Sequence, residues 1–297
     1  MEITAVRDGI EQFAGSLRPV LVHYAYAITG SRETARDLVQ DAFLRLLEQP
    51  DRPVRDIWNY LIRTVIHLSV NEVKRSNRVS GYPGIWLPEP VATESADGAL
   101  KQSDILSYSL LALLEKLDPR QRAVFVLREA FDFEHAEIAD ILGFSAANSR
   151  QLVSRAKKRL TTPYLPDSKH ITIPEGYLEA LRSGDIERLK GFFHEDIRSV
   201  SDGGGKVPAA RRPVVGRDDV AAFVSGIFHK FRRRLVAATV NHQPALLFFN
   251  DDKLVTCQVF QIYNNLIINT YFLRNPEKLR ELEYAVVTSG RVELSSC

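Results

Sequence analysis

Residues 135–160, "HAEIADILGFSAANSRQLVSRAKKRL", decide how the front of this chain folds. Ala136, Ile138, Ala139 and Leu142 recur at helical spacing, Gly143 permits a sharp turn, and Ser145 is a residue type that caps a following helix. The pattern predicts helix, tight turn, helix. The second helix carries Arg150, Arg155, Lys157, Lys158 and Arg159 with no acid between Ser145 and Leu160, the charge asymmetry of a helix that faces phosphate. Its first two turns hold Asn148, Arg150 and Gln151, side chains able to pair with base edges in a major groove, while the later basic residues would grip the backbone. A solvated basic face on a bundle helix would explain the charge but not the turn.

Helical periodicity extends upstream. Ser31 can cap a helix over 31–48 whose buried face is Ala35, Leu38, Val39, Ala42, Phe43, Leu46 and Leu47, with Arg36, Asp37, Gln40, Asp41, Arg45 and Glu48 opposite. An amphipathic segment over 17–28 ends at Gly30. A third helix follows Pro53, with Trp58, Leu61, Ile62, Val65, Ile66 and Val73 on one stripe, and runs into "NEVKRSNR". Lys74, Arg75 and Arg78 there sit at a helix C-terminus, where cations are favoured whatever their further role. The period then breaks. "SGYPGIWLPEPVATESADG" over 80–98 is rich in proline and glycine and reads as a linker or an ordered irregular segment. Ile105, Leu106, Leu110, Leu113, Leu114 and Leu117 resume the helical pattern, and Asp118-Pro119 supplies a cap and a first-turn proline for the next helix.

Beyond "TTPYLPDSKHITIP" the character changes. Helical stretches "EGYLEALRSGDIERLKGFF" and "GRDDVAAFVSGIFHKF" precede strand-like runs over 235–241, 245–249, 254–263 and 266–273. Asp251-Asp252 and Asn264-Asn265 punctuate them, as residues that tolerate the positive φ of hairpin turns do. The expectation is an α+β domain with a meandering antiparallel sheet behind an all-helical front.

At 297 residues the chain has room for two or three domains, and its 45% apolar and 26% charged content is that of a globular protein. A net charge of +2 is uninformative, so only clustered basic residues carry weight. Cys257 lies in a strand-like run and Cys297 is the last residue, a spacing that suggests neither metal site nor disulfide framework. No apolar run approaches the ~20 residues that span a bilayer, and the first residues lack a signal-peptide core. The expectation is a cytoplasmic protein without membrane contact.

"SDGGGKVP" over 201–208 poses a separate question, because three glycines and a lysine can cradle phosphate. A P-loop needs a hydroxyl after its lysine and a helix to follow, whereas Lys206 precedes Val207 and Pro208. A strand-connecting turn is the better reading.

Taken together, "GSRETARDLVQDAFLRLLEQ" resembles the second conserved region of extracytoplasmic-function sigma factors, and "IWNYLIRTVIHLSVNEVKRSNR" is similar to their adjoining promoter-melting helix. "LEKLDPRQRAVFVLREAFDFEHAEIADILGFSAANSRQLVSRAKKRL" resembles the fourth region, which reads the upstream promoter element. "GYPGIWLPEP", "DGGGK" and "NPEKL" together resemble the subgroup with a fused SnoaL-like C-terminal domain. The resemblance implies an all-α sigma region 2 over 1–80, a proline-rich linker over 81–102, a region 4 helix-turn-helix over 103–162, a second linker over 163–173, and an α+β SnoaL-like (NTF2-like) cone over 174–297.

The same resemblance implies an alternative sigma factor modulated in cis by its C-terminal domain. Its partners would be promoter DNA and the RNA polymerase core, through the β′ clamp and the β flap. Asp37, Gln40, Asp41 and Leu44 would bind polymerase. Asn71, Lys74, Arg75 and Arg78 would bind DNA near the start site, and Asn148, Arg150, Gln151, Arg155, Lys157 and Lys158 at the upstream element. Promoter preference does not carry over, because Asn71 stands where the family often has an acid and Ser149 where it often has an apolar residue. Trp86, Leu87, Pro88 and Glu89 of the linker and Asp202, Gly203, Gly204, Gly205, Lys206, Asn275 and Pro276 would be the interdomain regulatory residues, the glycines shaping a contact with the sigma regions or the linker and Lys206 pairing with an acid such as Glu89. No catalytic residue, metal or cofactor is expected. The rival is a SnoaL-like cyclase or isomerase, or a ligand sensor, fused to a DNA-binding module. It would use His194, Asp196, Asp202 or His242 as a general acid/base, or a pocket of Phe248, Phe260 and Tyr271.

Overall fold

A computed structural model of the chain describes residues 2–48, 56–78, 81–93, 106–160, 172–230 and 234–288. The chain divides into two compact units. The first takes residues 1–80, 97–106 and 113–161; the second takes 81–96, 107–112 and 162–297. Much of the second linker and the stretch 94–102 of the first lie outside the described residues.

The first unit is all helical. Helices α1 (Glu2–Thr29), α2 (Arg32–Leu47) and α3 (Ile57–Arg78) pack together; of the next helix, α4 (Tyr108–Leu114), residues 108–112 belong to the second unit, and α5 (Pro119–Glu129), α6 (His135–Leu142) and α7 (Ala146–Arg159) complete the first. Side chains set the breaks. Ser31 accepts from the Thr34 amide to start α2, and Asp118 accepts from the Arg120 and Gln121 amides ahead of Pro119 to start α5. Gly143, at φ 70°, ends α6 in the left-handed region, where its amide closes on the Ala139 carbonyl. α2 buries Ala35, Leu38, Val39, Ala42, Phe43 and Leu46 as expected, but Leu47 is 44% exposed because it falls at the edge of the stripe on the last turn. On α6 the buried set is Ile138, Ala139 and Ile141; Ala136 is exposed and Leu142 half-buried, so the inward stripe is displaced from the expected one. Arg63 of α3 pairs with Asp140 of α6 at 2.9 Å, and His67 Nε2 lies 2.7 Å from the Ile141 carbonyl.

The second unit carries α8 (Tyr177–Ser183), α9 (Ile186–Lys190), β1 (Phe193–Asp202), β2 (Val214–Val215), α10 (Arg217–Lys230), β3 (Arg234–Val240), β4 (Gln243–Asn250), β5 (Lys253–Tyr263), β6 (Leu266–Leu273) and α11 (Pro276–Thr288). The sheet order is β2-β1-β6-β5-β4-β3. β3 to β6 form the expected antiparallel meander, turned by Asp251, Asn264 and Asn265 at positive φ, and by Asn241 and His242 at a hairpin the sequence did not announce. The sheet is mixed rather than antiparallel throughout, because β1 runs parallel to β6. That strand was not foreseen: Glu195, Asp196 and Arg198 interrupt its apolar residues and it follows directly on a helical pattern.

Each sheet face builds its own core, since successive strand residues point oppositely. One face packs Phe193, Ile197, Leu246, Phe248, Phe260 and Phe272 against residues of α8, α9 and α10, including Tyr177 and Val224. The other packs Leu247, Cys257, Val259 and Tyr271 against Leu279, Leu282 and Val286 of α11 and against Leu87 of the linker. Phe248 and Phe260 therefore do not share a pocket with Tyr271. Burial raises the pKa of the Cys257 thiol and the Tyr271 hydroxyl.

Candidate nucleic-acid interface and linker-holding site

α7 is built to turn one face outward. Ser145 accepts from the Asn148 amide at 3.2 Å, and Ser149, Val153 and Ala156 point inward. Asn148, Arg150, Gln151, Arg155, Lys157 and Lys158 are consequently exposed. Ser149 is tolerated in the interior because His135 Nδ1 lies 2.9 Å from its hydroxyl. Lys157 pairs with Glu129 at 2.8 Å and Arg159 donates to Gln121 at 3.1 Å, so part of the basic charge is tied to the protein. On α2, Asp37, Gln40, Asp41 and Leu44 are all exposed, Leu44 at 47%. On α3, Asn71 and Arg75 are exposed and Lys74 is half-buried; Arg75 pairs with Glu72 at 2.9 Å. The side chain of Arg78 lies outside the described residues. Asn71 lines a cleft of about 460 Å³ together with Arg45, Tyr60, Arg63 and His67.

In the second unit, linker residues 82–93 are held in a fixed path, with Asp202 at the centre. This carboxylate is fully buried at the end of β1. Tyr82 Oη donates to its Oδ1 at 2.6 Å and the Gly204 amide at 2.9 Å, while the Leu87 amide and Lys278 Nζ donate to Oδ2 at 2.9 and 2.7 Å. Lys278, 8% exposed, also donates to the Leu87 carbonyl at 2.6 Å and sits 4.0 Å from the Trp86 ring centre. Burial, and then the hydrogen bond to Asp202, push the Tyr82 pKa well up. Asn275 Nδ2 donates to Tyr82 Oη at 3.2 Å, and the Asn275 amide donates to the Asp202 carbonyl at 3.1 Å. Further along, Tyr108 donates to the Pro88 carbonyl at 2.8 Å, and Asn241 exchanges hydrogen bonds with Val91.

The glycines keep this path open. Gly204 and Gly205 have φ of 61° and 70°, and a Cβ on them would strike Asn275 and Pro83 respectively; one on Gly203 would strike the Val207 carbonyl. The Gly204 amide, a donor that a phosphate loop would need, is already committed to Asp202. Lys206 pairs with Glu277 in the first turn of α11, not with Glu89 as expected, because the glycine turn brings it beside that helix start. Lys206 holds the Glu277 carboxyl below the ordinary range. The pair's contribution is thus present above the usual carboxylate pKa and lost as pH falls through the lowered value. Both partners are exposed, so salt weakens it. Pro276 is exposed and Glu89 half-buried. Residues 83–85, Gly203 and residues 205–211 also border a groove of about 690 Å³.

The four candidate general acids and bases are not brought together. His194 and Asp196 lie near the start of β1 and Asp202 at its end, roughly 20 Å from Asp196 at strand rise. His242 occupies the β3–β4 turn, its amide donating to Thr93. Among the described residues, no cluster of three His, Cys, Asp or Glu side chains could hold a metal, and no helix is long and apolar enough to cross a membrane. The sequence reading missed Lys278 and Tyr82. Both lie within quoted motifs, GYPGIWLPEP and NPEKL, yet their roles arise from pairings made across the fold.

Comparison with known proteins gives these surfaces a context. Residues 13–79 match Sigma-70 region 2 and residues 107–160 match Sigma-70, region 4. The chain is 35% identical over 233 residues to the ECF RNA polymerase sigma factor SigJ of Mycobacterium tuberculosis (strain ATCC 25618 / H37Rv), covering 75% of this chain and 74% of that one. It is 29% identical over 275 residues to the probable ECF RNA polymerase sigma factor SigI of Mycobacterium tuberculosis (strain CDC 1551 / Oshkosh), covering 89% and 93%. A crystal structure of SigJ superposes with a TM-score of 0.72 at 28% identity over 91% of this chain and 98% of that one, a match that takes in the α+β second unit. From the two sigma regions, in order, and the extent of these likenesses, the chain belongs to the extracytoplasmic-function (ECF) family of RNA polymerase sigma factors.

Proposed function

We propose that the NTF2-like domain of this alternative sigma factor sets its activity in cis by holding the linker between regions 2 and 4. As a sigma factor the chain binds RNA polymerase core and promoter DNA and is not an enzyme, which removes the cyclase reading. It works where polymerase works, in the cytoplasm. The observation that carries the proposal is the Asp202–Lys278 pair, which hydrogen-bonds Tyr82 and both backbone groups of Leu87 as well as the Gly204 amide. Fixing residues 82–93 shortens the free tether between two promoter-binding modules. The effective concentration of one at the other's site depends on that length. The domain ranges 1–80, 103–162 and 174–297 are assigned to region 2, region 4 and the SnoaL-like domain on this reading.

Run-off transcription with core polymerase, on the DNA upstream of the protein's own gene, tests it. Wild type should yield a discrete transcript, and Gly204→Val, which forces a Cβ into Asn275 at positive φ, should change the yield by several-fold. An unchanged yield with the linker demonstrably released, seen as new protease cleavage within 82–93, overturns control through the linker.

Within the sigma regions, Asp37, Gln40, Asp41 and Leu44 are assigned to the β′ clamp and region 4 to the β flap. Asn71, Lys74, Arg75 and Arg78 are assigned to the start-proximal promoter element. On α7, Arg150 reads a base and Lys158 grips phosphate. Arg150→Ala should therefore relax discrimination at one base pair by ~1–3 kcal/mol, whereas Lys158→Ala should weaken all sequences alike and lower the salt slope by about one. Identical sequence profiles and salt slopes for the two variants would contradict this division.

A further inference from the structure

The groove of about 690 Å³ in the second unit has two unlike walls. One is the linker at Pro83, Gly84 and Ile85, whose path is fixed on either side by the bonds of Tyr82 and of the Leu87 amide to Asp202. The other is the loop 205–211. The Gly203 carbonyl accepts from the Lys206 and Val207 amides at 3.0 and 3.2 Å, and Arg274 donates to the Pro208 carbonyl, so the loop too has a fixed path. The walls meet where Gly205 passes against Pro83, too close for a Cβ. Their chemistry differs. The linker wall carries no charge and presents Ile85, half-buried, beside the Pro83 ring. The loop wall adds Val207, Ala209 and Ala210 and carries Lys206 and Arg211, both exposed. Among the described residues that border the groove, none is acidic. Lys206 is shared with Glu277, whereas Arg211 and the adjacent, exposed Arg212 have no ion-pair partner among the described residues.

We propose that this groove docks an extended segment of a partner protein in which acidic and apolar residues alternate, its carboxylates toward Arg211 and Lys206 and its apolar side chains toward Ile85 and Pro83. Charge complementarity gives the acids. The apolar wall gives the rest and sets aside two other occupants. A small anion would meet only exposed cations in water, and such pairs contribute little. Nucleic acid would leave the apolar wall unmatched, since its interfaces are polar and strongly positive. An extended segment answers both walls at once, because its successive side chains point to opposite sides. Since one wall is the linker, the occupant loses half its site when the linker leaves. By linkage, docking and the holding of the linker favour each other equally. The proposal rests on the in-cis reading for its consequence in transcription and on the groove alone for binding.

Fluorescence anisotropy with the full chain and a labelled hexapeptide of alternating glutamate and valine tests it. The peptide should saturate one site below about 1 mM, and exchanging its glutamates for glutamine or its valines for serine should weaken binding about ten-fold or more. In the protein, Arg211→Glu should remove the preference for glutamate over glutamine, and Ile85→Ser the preference for valine over serine. Circular dichroism checks that each variant is folded, and the peptide comparisons on wild type stand without them. Bound peptide should slow protease cleavage within 82–93, and release of the linker by Gly204→Val should weaken peptide binding. None of these readouts is transcription, so a failure of the in-cis control leaves them as they are. No saturation, equal binding of the exchanged peptides, or bound peptide without protection of the linker would overturn the proposal. So would an Arg211→Glu variant that keeps its peptide preference but binds duplex DNA more weakly, with the salt slope lowered by about one, because the loop would then be a phosphate contact.

Discussion

Replacing Lys278 with methionine should destabilise the second unit by about 3–5 kcal/mol, the cost of leaving a buried carboxylate without its counter-charge. Asp202 is fully buried and Lys278 nearly so, which makes solvent screening small. Methionine keeps most of the stem's volume, so lost packing adds little. Three donors to Asp202 remain, from Tyr82, Leu87 and Gly204, which places the expected loss toward the lower end. The variant also removes the donor to the Leu87 carbonyl and the ammonium over the Trp86 ring. Trp86 makes the effect measurable: with Trp58→Phe in the background, its fluorescence through a urea titration reports the held linker directly. Asp202→Asn combined with Lys278→Met leaves neither charge and should recover most of the loss, whereas Asp202→Asn alone leaves a buried ammonium. A single-variant loss below about 1 kcal/mol, or a double variant no better than the single, would show that the pair does not hold the linker.

What the sequence made legible followed the range of the forces involved. The helix-turn-helix could be read because Asp118, Gly143 and Ser145 act on backbone groups within a few residues, and each acts in the structure as its type dictates. Strands β3 to β6 showed through short apolar runs and through Asp and Asn at two of the turns. β1 did not, although Ile197, Ser199 and Ser201 alternate inward, because two of those three are serines and charged residues precede them. The linker-holding site was located through its resemblance to a family pattern, but its chemistry was not. Lys278 meets Asp202 across 76 residues and Tyr82 meets it across 120, pairings that no local period encodes. The same limit produced the expectation of Glu89 as partner to Lys206. Glu277 takes that place because the turn and the start of α11 are neighbours in space, not in sequence. Phe248, Phe260 and Tyr271 were grouped by type, and strand register separates them onto opposite faces.

Reversing Asp37 and Asp41 to lysine together should reduce affinity for core polymerase by about 100-fold or more, since like-charge contacts at an interface cost several kcal/mol. The assignment rests on an α2 face that is acidic, exposed and interrupted by Leu44, an apolar side chain for which the fold itself has little use. Among the described residues, neither carboxylate has a partner inside the protein, so reversal should break nothing within the unit. Helix electrostatics nearly cancel. Asp41→Lys loses a favourable spacing to Arg45 four residues on, while Asp37→Lys gains one from Glu33 four residues before, each worth about 0.2–0.5 kcal/mol. Stability should therefore change by no more than about 0.5 kcal/mol, and circular dichroism with thermal melting should match wild type. Loss of core binding with an unchanged melt places the polymerase contact on this face. Retained binding in a pull-down, at the salt concentration where wild type binds, would remove it, because a contact made through these carboxylates cannot survive a change of four charge units at its centre.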